Sequence, residues 1–102
     1  MTEPRLTDHR QAVITDPLGL HLRSAAELVA LSRSFRSDIR ILARGTTADA
    51  KSLLGLVTLA AGCGTTLDII AHGPDAEGAV AALTRFFLAG IDGPVGRAVA
   101  AA

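Results

Sequence analysis

Hydrophobic and polar residues change their spacing repeatedly along this chain. Gln11 to Thr15 (QAVIT) is a short β-prone run, ended by the turn residues Asp16-Pro17 and Gly19. From Leu22 the period becomes helical. Leu22, Ala25, Ala26, Leu28, Val29, Ser32 and Phe35 recur at three-and-four spacing and lay an apolar stripe along one face, with Glu27, Arg33 and Arg36 on the other. Ile39, Ile41 and Ala43 then alternate with Asp38, Arg40 and Leu42 as a strand. Arg44-Gly45 supplies a turn, and Thr46 to Asp49 returns as a short antiparallel partner. Ser52 opens a second, short apolar helix (LLGLVTLA) expected to stop at the Gly62–Gly64 cluster. Leu67, Ile69 and Ala71 alternate as a fourth strand, closed by Gly73-Pro74. Asp75 to Leu88 reads as a last helix burying Ala79, Val80, Leu83, Phe86 and Phe87. The order β-α-β-β-α-β-α predicts an α+β fold, a four-stranded antiparallel sheet with three helices on one face. The folded domain is expected over residues 10–89, between a flexible N-terminus (1–9) and a flexible tail (90–102).

Composition narrows the class. At 102 residues the chain can build one core. It has no Trp or Tyr and three Phe, so Leu, Ile, Val and Ala must fill that core. Ten basic and ten acidic residues cancel, leaving no overall field for nucleic acid or an anionic membrane. MTEPRLTDHR lacks the apolar stretch of a secretory signal, and LLGLVTLAAG is too short to span a bilayer. Cys63 is the single cysteine, which excludes an internal disulfide and a CxxC metal site. A soluble, cytoplasmic, monomeric protein with no bound metal or cofactor is expected.

One histidine stands where a helix start ordinarily takes Ser, Thr or Asp. His21, in GLHLR, falls at the mouth of the first predicted helix, where the first backbone N–H groups have no internal partner. Those amides, on Leu22 and Arg23, and the helix dipole suit an anion. The positive helix end also disfavours a charged imidazole, which leaves a nucleophilic ring. Arg23 can give a charge-assisted contact to a phosphoryl oxygen, and Gly19 lets the chain approach closely. Together these features suit an imidazole that accepts a phosphoryl group and passes it on, a task of positioning and charge compensation. The plain reading is a surface histidine beside a solvated arginine.

A second position bears on that choice. Ser52, in AKSLLG, is at the predicted N-cap of the short helix, where its hydroxyl can take up a free N–H. Gly55 holds the position that a capping box gives to Glu or Gln. Simple capping competes with regulatory phosphorylation, which a helix start tolerates. Leu53, Leu54, Leu56, Val57 and Leu59 cannot all face inward on so few turns, and an exposed apolar patch near His21 would serve a protein partner.

GLHLRSA, AKSLLGLVTLAAGCGT and HGPDAEGA resemble the HPr family, the histidine phosphocarriers of the bacterial phosphoenolpyruvate-dependent phosphotransferase system. His21 and Ser52 stand 31 positions apart, the family's spacing between its two phosphorylation positions. The likeness runs from about Gln11 to Phe87 and implies an open-faced β-sandwich. It implies that His21 is phosphorylated on Nδ1 by Enzyme I, and that Arg23 stabilises the phosphohistidine and aids transfer to IIA-type permease domains. It implies that Ser52 is the regulatory serine of an ATP-dependent HPr kinase/phosphorylase. Leu22, Ser24, Lys51, Leu53, Leu54 and Val57 fall on the implied docking surface. Such a protein is a covalent relay and not an enzyme. One departure is Ser24, where the family usually has Pro after the arginine; its hydroxyl could reach the phosphate or loosen the site.

Two other readings compete. On the same fold, a regulatory module would use its phosphorylation state to bind a transcription factor or enzyme, apart from sugar uptake. A ferredoxin-like small-ligand domain would need a pocket at a subunit interface. The presence of both His21 and Arg23 favours the relay, because a pure binding module needs neither.

Overall fold

A computed structural model describes residues 6–89. Seven elements follow in order: β1 (Thr7–Val13), α1 (Leu22–Arg33), β2 (Asp38–Ala43), β3 (Thr46–Asp49), α2 (Leu53–Leu59), β4 (Thr66–His72) and α3 (Ala76–Leu88). The strands form one antiparallel sheet in the order β1-β4-β2-β3. The three helices cover one face and leave the other open, as expected.

The core lies between sheet and helices. Ile39, Ile41, Leu67 and Ile69 from the central strands are fully buried against Leu28 of α1, Leu56 of α2 and Val80 and Leu83 of α3. Central strands β2 and β4 pair along Asp38–Leu42 and Asp68–His72, which puts Ile41 opposite Ile69 and Ile39 opposite Ala71. Period-two alternation therefore sends one aliphatic set inward from both strands. Phe86 and Phe87 of α3 pack edge to face with ring centroids 5.4 Å apart, and partly buried Phe35 lies against the same core.

Several elements differ from the pattern in the sequence. β1 begins at Thr7, inside the stretch expected to be loose, and ends at Val13. Its backbone ladder with β4 runs from Thr7 opposite His72 to Val13 opposite Thr66, so pairing holds a segment that hydropathy does not mark. On α1 the buried residues are Ala25, Leu28, Val29 and Ser32; Leu22 and Ala26 are exposed, and Phe35 lies beyond the helix end. α2 stops earlier than the glycine cluster: Ala60 takes the left-handed conformation (φ 52°) and its N–H bonds back to Val57 O. At the β2–β3 turn Arg44 and Gly45 both have positive φ, 49° and 81°, the two-residue hairpin geometry that matches strand twist. The tail expected at 90–102 lies outside the described residues, as do residues 1–5.

Candidate functional site

His21 is delivered by a loop that is tied down on both sides. After β1, Ile14 N donates to Thr65 O (3.0 Å) and Gly64 N donates to Ile14 O (2.8 Å). Four residues after the turn begins, Leu20 N donates to Ala61 O at 2.8 Å, and the Leu20 side chain is buried. The 61–65 segment thus holds both ends of the loop that leads to α1. Gly19 has φ +70°, and a Cβ there would meet Ala61 O at 2.6 Å and Gly62 Cα at 2.8 Å. Only glycine allows the two backbones to lie this close.

Within the loop Asp16 folds the turn. Its carbonyl accepts from Gly19 N (2.8 Å), and its Oδ1 accepts from Leu18 N (2.9 Å). The other carboxylate oxygen, Oδ2, lies 3.5 Å from His21 Nε2. This neighbour was not visible in the sequence beyond the Asp-Pro turn signal, because an Asx turn fixes the backbone and does not announce where its second oxygen points.

His21 is the N-cap of α1, in extended conformation, and its carbonyl accepts from Ala25 N at 2.7 Å as the first helical bond. The ring side chain is 34% exposed, so it is neither interred nor free on the surface. Leu22 and Arg23 follow as the first two helical residues, whose amides a helix leaves without internal acceptors. Arg23 is exposed, and among the described residues its guanidinium shows no protein partner.

Ser24 completes the helix start. Its Oγ accepts from His21 N (3.1 Å) and donates to His21 O (3.2 Å). This is the reciprocal arm of a capping box, with serine where Glu or Gln commonly stands. The hydroxyl is directed at the backbone of His21, so it stiffens the helix mouth from within.

The second position behaves as a cap. Ser52 Oγ accepts from Gly55 N at 3.1 Å and starts α2. Lys51, expected on the docking surface, has its ammonium on Phe35 O (2.8 Å), while its own carbonyl accepts from Arg33 Nη2 (3.2 Å). These bonds clamp the start of α2 to the end of α1. The exposed large apolar residues of α1, α2 and the loop before α1 are Leu18 (77%), Leu22 (64%), Leu53 (38%), Leu54 (77%) and Val57 (38%). Leu18 escaped the sequence reading because it lies in the turn and belongs to no periodic stripe.

The other two histidines have partners on the sheet. His9 Nε2 lies 3.0 Å from Asp68 Oδ1 on the open sheet face, and His72 Nδ1 lies 2.7 Å from Thr7 Oγ1. Among the described residues no three His, Cys, Asp or Glu side chains gather as a metal site. Cys63 is exposed, its Sγ 3.9 Å from Thr15 O. No described helix is long and apolar enough to cross a membrane.

A half-exposed histidine thus stands at a helix mouth beside the first amides of α1 and the Arg23 guanidinium, an arrangement that suits a protein carrying an anionic group. Comparison with known proteins agrees. Residues 9–88 match the family model described as the PTS HPr component phosphorylation site. The phosphocarrier protein HPr of Cupriavidus necator is 40% identical over 74 residues, covering 72% of this chain and 83% of that protein. The phosphocarrier protein NPr of Shewanella violacea is 39% identical over 74 residues, covering 72% and 81%. Among solved structures, a phosphocarrier protein HPr from Bacillus anthracis superposes with a TM-score of 0.77 at 34% identity, covering 81% of this chain and 99% of that one. The chain belongs to the HPr family, and it is a phosphocarrier of the phosphotransferase system and not a catalyst of a complete reaction.

Proposed function

We propose that the chain relays a phosphoryl group from phosphoenolpyruvate-charged Enzyme I, through a phosphohistidine at His21, to IIA-type domains of sugar permeases. The observation that carries this reading is the position of His21: a half-exposed ring capping α1, beside the open amides of Leu22 and Arg23. In the charging step the lone pair of Nδ1 attacks phosphorus, and the bond from phosphorus to the donor's nitrogen breaks with its electron pair returning to the donor. The new phosphoryl oxygens meet the amides of Leu22 and Arg23 at the positive end of the helix. The Arg23 guanidinium adds a mobile counter-charge. Discharge to the next carrier reverses these events. No metal is needed on this side of the exchange.

Leu18 and Leu22 lie next to this cap in the chain, and Leu53, Leu54 and Val57 are exposed on α2; such aliphatic surface suits proteins that must approach closely and then leave. The role places the chain in the cytoplasm, with its donor and acceptors. Ser52 is the position where an HPr kinase/phosphorylase would act; phosphorylation there would add charged acceptor oxygens at the start of α2, where its Oγ now accepts from Gly55 N. The second reading is a regulatory branch, favoured by the likeness to a protein named NPr alongside those named HPr.

The test is onward transfer. Radiolabelled phosphoenolpyruvate, Enzyme I and a IIA domain should yield labelled IIA when this chain is added. The label should be absent with the His21→Ala chain. Charging of this chain without any delivery to IIA domains would favour the regulatory branch.

A further inference from the structure

We infer that Asp16 is a positioning residue for the phosphoryl exchange: its carboxylate holds the proton on His21 Nε2, which keeps Nδ1 as the open nucleophile and makes the ring the better leaving group. The inference rests on the phosphocarrier reading of His21 and assigns a role to a residue outside the GLHLR motif.

The geometry has two parts. Asp16 Oδ2 is 3.5 Å from His21 Nε2, with the carboxylate 24% and the imidazole 34% exposed, so neither group is fully solvated. The carboxylate is also not free to swing away. Its other oxygen is held by Leu18 N at 2.9 Å, and its carbonyl by Gly19 N at 2.8 Å. The loop that aims Asp16 is the one fastened to residues 61–65, so the carboxylate belongs to the same rigid frame as the ring.

An acceptor-only group beside one ring nitrogen selects the tautomer with a hydrogen on that nitrogen. With hydrogen on Nε2, the Nδ1 lone pair is available. When Nδ1 forms its bond to phosphorus, the donor's P–N bond breaks and its electron pair stays with the donor. The ring now bears both Nδ1–P and Nε2–H and is formally cationic. Asp16 faces the nitrogen that keeps the hydrogen and offsets that charge. On discharge the pair returns to Nδ1, and the ring departs as a neutral imidazole still carrying its Nε2 hydrogen. No proton moves in either direction. A group that holds the hydrogen on Nε2 therefore favours charging, and it keeps the phosphorylated ring in the form that departs as neutral imidazole and not as imidazolate, the more labile of the two forms.

The substitution that separates charge from loop structure is Asp16→Asn, whose amide oxygen can still accept from Leu18 N. Asp16→Ala removes both interactions. Nitrogen-15 NMR on the unphosphorylated chain reads the His21 tautomer directly, and so judges Asp16 whether or not phosphate ever reaches the ring. We expect a single Nε2–H tautomer in the native chain and a mixture in Asp16→Asn, with the Leu18 and Leu20 amide resonances in place. Charging by phosphoramidate, a small P–N donor that needs no docking, should slow about threefold in Asp16→Asn, the scale of a partly exposed charge pair. The half-life of its phosphohistidine at neutral pH should lengthen by a similar factor. A tautomer that is the same in the native and Asp16→Asn chains, with unchanged charging and lifetime, overturns the assignment. If the native chain takes no acid-labile phosphate at all, the relay reading fails, while the tautomer measurement still decides what Asp16 does.

Discussion

At the scale of single residues, short polar side chains decide how the two helix mouths are built. Ser24 and Ser52 have opposite tasks. Ser52 is an N-cap that takes up Gly55 N, and Ser24 stands inside the helix and reaches back to His21. The sequence shows a serine at each position, yet only Ser52's role was legible, because a cap sits at a recognisable break in hydropathy. Ser24 occupies a place where the family's proline would leave no N–H, and its partner is the backbone of a residue three positions earlier. Ser52→Ala should destabilise the fold by about 1 kcal/mol, the usual worth of an N-cap hydroxyl. Urea titration measures it; a change within about 0.3 kcal/mol would show that the cap bond adds nothing beyond solvation.

Elements are fixed by the contacts between loops as much as by their own periods. The stripes of α1 and α3 and the alternation of β2 and β4 could be read because burial imposes a spacing. All five residues expected inside α3 are buried. The front half of β1 carries no such record: Thr7, His9, Arg10 and Gln11 are all exposed, and β4 supplies the ladder that orders them. Likewise the end of α2 at Ala60 uses a left-handed residue that propensity would have placed at glycine. Gly19 tests the loop packing. Gly19→Ala drives a methyl into Ala61 O and Gly62, and should cost about 1–3 kcal/mol, visible as a lower midpoint in thermal unfolding. Charging of His21 should fall with it, because the ring and Asp16 ride on that loop.

A different tie joins α3 to the α1–β2 connection. Asp75 precedes α3, and its carboxylate accepts from Ser37 Oγ (2.5 Å), Arg36 N (2.9 Å) and Ser37 N (2.9 Å). The Ser37 hydroxyl first, and the Arg36 amide next, hold this carboxyl below its ordinary value of 3.8. A depressed carboxylate stabilises the fold in full above its unfolded value and loses that contribution as pH falls through the folded one. The native chain should therefore lose stability below about pH 4 more steeply than an Asp75→Asn chain. Unfolding midpoints taken between pH 7 and pH 2 compare the two; parallel curves would remove Asp75 from the acid response.

For the whole molecule, the division is between a sheet face left open and a helical side that carries the site. The sheet face carries the polar side chains of His9, Gln11 and Asp68, with Asp68 held down in pKa chiefly by His9 and then by Gln11. Five exposed aliphatic residues lie on α1, α2 and the loop before α1; Leu6, Val13 and Leu88 are exposed elsewhere. An excess of leucines in α2 was legible in the sequence, but not that the Lys51 ammonium would donate to Phe35 O. Leu54 is the most exposed residue of α2, at 77%. Leu54→Glu should leave stability within about 0.5 kcal/mol, as surface changes do. It should slow charging by Enzyme I at least about fivefold, the scale of a truncated docking contact, and leave charging by phosphoramidate unchanged. Equal losses with both donors would place the effect at His21 and not at docking.

Where the phosphate goes decides the role of His21. Incubation with phosphoenolpyruvate, magnesium and Enzyme I, followed by peptide mapping under alkaline conditions, locates it most directly. The expected result is one phosphate on Nδ1 of His21, lost on mild acid treatment and absent from a His21→Ala chain whose circular dichroism matches the native one. A phosphate that survives acid, or that maps to Ser52 with His21 unmodified, would contradict it.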